Sequence, residues 1–150
     1  MQEINYEYYV SPEVAKLLKK AGFNLEVNHS YPDVSALDNS CSGYMEDLPF
    51  YHNLNDGKYG GLSAPTLEVA QRWLRKVKNY YVSIDVDCDS VGVFYTVGYV
   101  FHDGDNYNAS HIWEKDEQGE DNHRRLKIFN TYEEAQEAGI KKALEIILEL

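Results

Sequence analysis

Apolar residues recur at helical spacing in three parts of the chain. In the first, Ser11 suits a helix N-cap, Pro12 suits the first turn, and Gly22 is a stop signal after the last apolar position. In the third, Thr131 and Glu134 stand at the spacing of a capping box, in which each side chain satisfies a free backbone donor of the other residue. The pattern predicts three amphipathic helices, over residues 12–21, 65–78 and 131–149.

Between the second and third helices the pattern changes to that of strands. Residues 82–89 alternate apolar and polar side chains, which is typical of a half-buried antiparallel strand. Residues 93–101 are apolar on both faces, as expected for a central strand. Together with the turn signals, the pattern predicts a meander of about four antiparallel strands, near residues 80–88, 93–101, 109–115 and 125–129.

Residues 24–61 show no sustained period and are rich in asparagine, glycine, proline and serine. Because a structureless loop of this length is uncommon in a compact domain, we expect short strands near Asn24–Val27 and Lys58–Leu62. The order of elements predicts a single α+β domain over residues 1–150, with the helices packed mainly on one face of an antiparallel sheet. The region at about 24–61 is its irregular, polar part.

Length and composition fit this prediction. The chain has 150 residues, of which 43% are hydrophobic, so it can bury one core and is not globally disordered. Its apolar runs fall short of the roughly 18–20 residues of a membrane span, and its start lacks the basic and apolar segments of a signal peptide. We expect a cytoplasmic protein that does not bind a membrane.

The net charge of −11 is unevenly distributed along the chain. Residues 83–123 contain ten acidic side chains and one basic residue, Lys115. Such a surface repels the phosphate backbone, so the charge disfavours direct binding of nucleic acid. Two explanations stay open: the acidic residues serve solubility, or they imitate a polyanion toward a basic protein.

The sequence contains none of the common catalytic or cofactor motifs. It has no nucleotide-binding glycine loop, no nucleophile elbow, and no zinc-ligand spacing among its two cysteines and five histidines. His102 and His111 could face each other across a hairpin as a metal or acid/base pair, although cross-strand histidines are also ordinary. We predict no cofactor, no metal ion and no catalytic residue.

Two groups of aspartates lie in the acidic region. Asp85 and Asp87 belong to an alternating row on one strand, and Asp103 and Asp105 belong to a turn. Neither group matches the calcium-loop template, which requires a glycine at the sixth position and a carboxylate at the twelfth. Solvent-facing aspartates are the simpler interpretation, and a metal site is the alternative.

Cysteine and tyrosine add a few expectations. Cys88 falls on an alternating strand and is predicted to be a buried structural thiol, because free cysteine is often buried. Most of the thirteen tyrosines suit sheet packing. Those in the polar region before the second helix are the better interface candidates: Tyr31, Tyr44, Tyr51 and Tyr59.

Three segments in order resemble the blocks of a family of small proteins encoded on phages and prophage-like mobile elements of gut bacteria. The segments are SPEVAKLLKKAGF at residues 11–23, APTLEVAQRWLR at residues 64–75 and FNTYEEA at residues 129–135. The resemblance implies a mobile-element origin and transfers no catalytic residue, since that family has no established activity. The helix at residues 131–149, following a meander, is also similar to the partner-binding antitoxin domains of the HicB type.

These observations favour a non-enzymatic accessory protein of phage or mobile-element origin whose acidic surface docks on a host or phage protein. One alternative is a metal-assisted hydrolase or transferase that uses aspartates and histidines of residues 85–111. Another is a virion or assembly component, which would form homo-oligomers. The expected binding residues are Asp85, Asp87, Asp103, Asp105, Tyr44, Tyr51 and Tyr59.

Overall fold

The computed structural model describes residues 8–32, 46–53, 55 and 61–150, with residues 46–52 described by their backbone alone. Three helices and antiparallel strands confirm the predicted α+β class. The helices are α1 (Pro12–Lys20), α2 (Leu67–Val77) and α3 (Tyr132–Ile147). The strands are β1 (Val27–Tyr31), β2 (Glu46–His52), β3 (Leu62–Ser63), β4 (Tyr80–Cys88), β5 (Val93–His102), β6 (Tyr107–His111), β7 (Trp113–Lys115) and β8 (Asp121–Leu126).

The chain divides into two compact units. The first comprises Met1–Ala70 with Leu144–Leu150, and the second comprises Gln71–Ala143. The prediction that the chain is a single domain stays a prediction.

The predicted caps fix the helix ends. Ser11 Oγ accepts a hydrogen bond from the Val14 N–H at 3.3 Å, and Thr131 Oγ1 accepts one from the Glu134 N–H at 3.1 Å. The second helix begins at Leu67, two residues later than predicted, because Thr66 Oγ1 caps it by accepting from the Val69 N–H at 3.2 Å.

In the first unit, the region predicted to be irregular contributes β1 and β2 to a three-stranded antiparallel sheet in the order β2-β1-β3. The predicted strand at Asn24–Val27 is wrong in its bounds, since β1 begins at Val27. Leu62, which ends the other predicted strand, begins β3, whereas residues 58–60 lie outside the described residues. The sequence pattern did not predict β2.

Two side chains of this region form hydrogen bonds to main-chain groups of other segments. The Tyr31 hydroxyl donates to the Val10 carbonyl at 2.6 Å and the residue is buried, so its prediction as an interface tyrosine is wrong. Asn55 donates through Nδ2 to the Phe23 carbonyl at 3.1 Å, and its Oδ1 accepts from the Ser63 N–H at 3.2 Å. Polar side chains that pair with the main chain in this way hold irregular backbone in place.

In the second unit, β4, β5 and β6 form an antiparallel sheet in that order, and β7 and β8 form a separate two-stranded ribbon. The predicted third strand is broken at Ile112, whose N–H donates to the Val97 carbonyl at 3.0 Å. The predicted fourth strand begins earlier, at Asp121. Its last residue, Phe129, instead forms an isolated bridge with Tyr95 on β5.

Helices α2 and α3 cover one face of the β4–β5 pair in this unit. A Cβ atom built on Gly139 of α3 would lie 2.4 Å from Val82 Cγ1 and 3.1 Å from Val97 Cγ1, so the helix backbone approaches the sheet closely. Gln71 of α2 donates through Nε2 to the Val82 carbonyl at 3.0 Å, and Gln136 of α3 donates to Gln71 Oε1 at 2.8 Å. These two buried glutamines join both helices to strand β4.

Candidate protein-binding surface

The tip of the β4–β5 hairpin, residues 85–94, is the most exposed apolar part of the second unit. Val86 is 66% exposed and Val93 is 58% exposed, although both belong to the face that packs against the helices farther along the strands. Val91 in the connecting turn is 94% exposed. Scattered single apolar side chains are ordinary on a surface, but three within one hairpin tip form a patch.

The end of α3 explains why the tip is uncovered. The helix begins at Tyr132, whose ring meets the Tyr95 ring edge-on with a centroid distance of 6.0 Å. Tyr95 pairs with Val86, so the strands continue beyond the first turn of the helix. Cys88 lies in this continuation and is exposed, which makes its prediction as a buried thiol wrong.

The opposite face of the tip carries the predicted acidic row. Asp85 pairs across the strands with Thr96 and Asp87 with Phe94, and both carboxylates are exposed. Asp89 has a different role, because its Oδ1 accepts from the N–H groups of Val91 at 2.8 Å and Gly92 at 3.0 Å. These hydrogen bonds hold the pKa of Asp89 below its usual value and fix the turn.

The other two predicted aspartates lie at the opposite end of β5. Asp103 follows the last residue of β5, seven residues beyond the Asp85 partner Thr96, which places it about 23 Å along the strand from Asp85. Its Oδ1 accepts from the N–H groups of Asp105 at 2.9 Å and Asn106 at 2.8 Å, and its Oδ2 accepts from Asn108 Nδ2 at 2.8 Å. The structure therefore brings together Asp85 with Asp87 and Asp103 with Asp105, but it does not bring the two pairs together.

Asp103 is a turn-forming residue. The backbone hydrogen bonds from Asn106 and Asp105, followed by the Asn108 side chain, lower the pKa of the Asp103 carboxyl to about 2. Both oxygens of this carboxylate are thus occupied within the turn. Asp105 supplies one of the donors and leaves its own exposed carboxylate on the surface.

The hypothesis of a facing histidine pair is wrong. The turn closed by the Asp103 N–H and the Asn106 carbonyl sets the register so that His102 pairs with Tyr107, whereas His111 pairs with Gly98. Over the described residues, which include all of 85–111, no group of three or more His, Cys, Asp or Glu side chains is arranged to hold a metal ion. The alternative of a metal-assisted enzyme therefore has no ligand cluster in this hairpin.

The predicted interface tyrosines other than Tyr31 add nothing to the described surface. Tyr44 and Tyr59 lie outside the described residues. Tyr51 lies in β2, where only the backbone is described. Their role in binding stays a prediction.

An open groove of about 420 Å³ borders the acidic row. Asp87 forms one side, and Arg124 and Arg125 of β8 form the other, beyond strand β5. These arginines could not be predicted from the sequence, because only the folding of the β7–β8 ribbon next to β5 places them near Asp87. The groove is lined by Asp87, Phe94, Thr96, Glu114, Arg124, Arg125, Leu126 and Ile128.

Sequence reasoning also missed the exposed valines of the tip. Their alternation with aspartates is the same as in the buried half of the strand, so periodicity alone gives no sign of their exposure. Length gives no signal either, because a strand of nine residues spans about 30 Å and the helix predicted over residues 131–149 spans about 28 Å.

In the part of the chain that the structure describes, no helix has the length and apolar character needed to cross a membrane. Comparisons of the chain with models of protein families, with curated proteins and with solved structures give no match.

Proposed function

We propose that this chain is a non-enzymatic protein-binding module, a cytoplasmic accessory protein of phage or mobile-element origin that docks on a basic host or phage protein. The observation that carries the proposal is the hairpin tip, which exposes valines on one face and Asp85 and Asp87 on the opposite face. Apolar contact supplies affinity at such a surface, while the carboxylates attract and select a basic partner.

Charge supports the choice of partner. The tip presents three aspartates and no basic residue in its own sequence, and Arg124 and Arg125 lie across the groove from Asp87, beyond β5. The second unit carries another acidic turn at Asp103 and Asp105. A basic protein would be steered toward this region at low ionic strength, and salt would weaken the attraction because exposed charges are screened over about 8–10 Å at physiological salt. Nucleic acid would be repelled by the same charges.

The test is capture of partners from host lysate at low and high salt, with identification by mass spectrometry, followed by binding of the purified partner to defined variants. The double variant Asp85→Asn/Asp87→Asn removes two charges from the tip. The control Glu117→Gln/Glu120→Gln removes two charges from the exposed β7–β8 loop and leaves the tip intact.

We expect the tip variant to bind the captured partner more weakly and with a shallower salt dependence, and the loop variant to bind like the wild type. Equal weakening of both variants would mean that only net charge matters, which contradicts docking at the tip. Binding that neither salt nor the tip variant changes would remove the electrostatic part of the proposal.

A further inference from the structure

Within the described residues, the outer edge of β4 has main-chain groups that no hydrogen bond occupies. Strands of an antiparallel pair alternate between residues that hydrogen-bond to each other and residues whose N–H and C=O groups point away. Tyr95 donates to the Phe129 carbonyl at 2.9 Å and accepts from the Phe129 N–H at 2.8 Å, so both of its groups point away from β4. Its cross-strand partner Val86 must likewise direct its N–H and C=O away from β5.

The same reasoning applies to each second residue of β4. The Val97 carbonyl accepts from Ile112, so its partner Ile84 also points its main-chain groups outward. Gln71 Nε2 donates to the outward carbonyl of Val82, so this carbonyl is not available to an added strand. In the described residues nothing is hydrogen-bonded to the outward groups of Ile84 and Val86, and β4 is the last strand of its sheet.

The side chains along this free edge define what can lie beside it. A strand added next to β4 would place alternate residues next to Asp85 and Asp87, and the residues between them next to Ile84 and Val86. Cross-strand neighbours of opposite charge are favourable and like charges are unfavourable. An extended segment that alternates lysine or arginine with apolar residues matches both faces.

A second copy of this chain does not match. Antiparallel pairing of β4 with its own copy would bring the Asp85 and Asp87 carboxylates of the two strands side by side, and charged edge residues of this kind protect a sheet against self-pairing. The Cys88 N–H already donates to Asp87 Oδ1 at 2.8 Å, which closes the edge beyond Asp87. We propose that the edge Ile84–Val86 binds an extended segment of the partner as an additional strand, and that this segment alternates basic and apolar residues. The inference rests on the proposed function and specifies its binding mode.

The test uses the full chain and a short, end-blocked peptide that alternates lysine with valine. A second peptide of the same sequence is N-methylated on the amides that would face β4, so it keeps the charges but lacks the N–H donors, and its methyl groups obstruct the close approach of the strands. By calorimetry, we expect the N-methylated peptide to bind about tenfold more weakly, since it loses two or more hydrogen bonds.

A matched pair of protein variants tests the same edge of β4 without modifying the peptide. Val86→Pro removes the outward N–H without removing a hydrogen bond to β5, and proline is tolerated on edge strands where the N–H faces solvent. Val86→Thr keeps the N–H and a β-branched side chain. We expect Val86→Pro to lower the affinity for the unmodified peptide about tenfold, and Val86→Thr to change this affinity less than about twofold. The comparison of the two peptides on the wild type holds even if Val86→Pro does not fold.

The outcomes distinguish failure of strand addition from failure of charge-driven docking. Equal binding of both peptides, lost in Asp85→Asn/Asp87→Asn, would overturn strand addition and leave charge-driven docking in place. A lysate partner whose binding is insensitive to Val86→Pro would do the same. If neither peptide binds and lysate yields no basic partner, both proposals fail. A wild-type dimer that Val86→Pro dissociates would make the occupant a second copy and overturn the basic segment.

Discussion

The two halves of the β4–β5 hairpin share one sequence pattern and differ in what covers them. In the half that packs against the helices, Val82 and Val97 are 8% and 0% exposed, whereas Val86 and Val93 at the tip are 66% and 58% exposed. The difference shows that alternation determines which side chains share a face, and that the length of the covering helix determines whether the face is buried. The uncovered half is where we expect a partner to bind.

The largest effect should come from the covered half, at Gly139. Gly139→Val adds atoms where a Cβ alone would already lie 2.4 Å from Val82 Cγ1, so we expect a loss of about 3 kcal/mol in the free energy of unfolding. For a chain of this size the loss lowers Tm by roughly 6–12 °C in a thermal melt.

The control for this change is Ala138→Val, at the neighbouring, half-buried position of the same helix. It adds the same branching to α3 and should cost no more than about 1 kcal/mol. If Gly139→Val melted like the control, α3 would not lie against Val82 and Val97, and the contrast between the two halves would lose its basis.

The next largest effect is the difference in stability loss between valine-to-alanine substitutions in the two halves of the hairpin. Val97→Ala, in the covered half, should lower the free energy of unfolding by about 2 kcal/mol because it leaves a cavity. Val93→Ala, on the same strand and face but at the tip, should change it by less than about 0.5 kcal/mol. Denaturant unfolding of the two variants measures both values, and similar losses would mean that the tip is covered in solution.

A smaller effect concerns the acidic turn at Asp103, which follows β5. The pKa of Asp103 is lowered to about 2 in the folded state, against about 3.9 in an unfolded chain. A carboxylate with a lowered pKa stabilises the fold above its unfolded pKa, and this stabilisation is lost as the pH falls through the folded pKa near 2.

We therefore expect Asp103→Asn to be less stable than the wild type at pH 6, with the two curves converging as the pH approaches 2. Thermal melts across this pH range measure the difference, and Asp105→Asn controls for removal of a carboxylate from the same turn. A constant difference between Asp103→Asn and wild type at all pH values would show that the charge of Asp103 does not stabilise the turn.

The smallest effect on stability is expected at the acidic row of the tip. Asp85→Asn/Asp87→Asn replaces exposed carboxylates and should shift the free energy of unfolding by no more than about 0.5 kcal/mol per residue in denaturant unfolding. A large loss would give these residues a structural role and would complicate their use as binding variants.

Much of the fold could be predicted because local signals agree with the final structure. Ser11, Thr131 and the alternation in β4 each act through neighbours in sequence, and each element forms where its signal lies. The break at Ile112 and the ribbon of β7 and β8 could not be predicted, since a hydrogen bond to Val97, distant in sequence, determines them.

The candidate site was only partly accessible to sequence reasoning. Asp85 and Asp87 could be placed on one face from their spacing alone. The exposure of Val86, the position of Arg124 and Arg125 across the groove, and the free edge of β4 all depend on which elements pack beside the hairpin. Such tertiary contacts leave no periodic signal in the sequence.

The most direct test of the docking surface is amide hydrogen exchange along β4 in the free protein, resolved residue by residue by NMR. The Asp85 and Asp87 amides should exchange slowly because they hydrogen-bond to β5, and the Ile84 and Val86 amides should exchange fast because they face an open edge. Slow exchange at Ile84 and Val86 would show that the edge is already covered, and it would contradict binding of a partner at the tip.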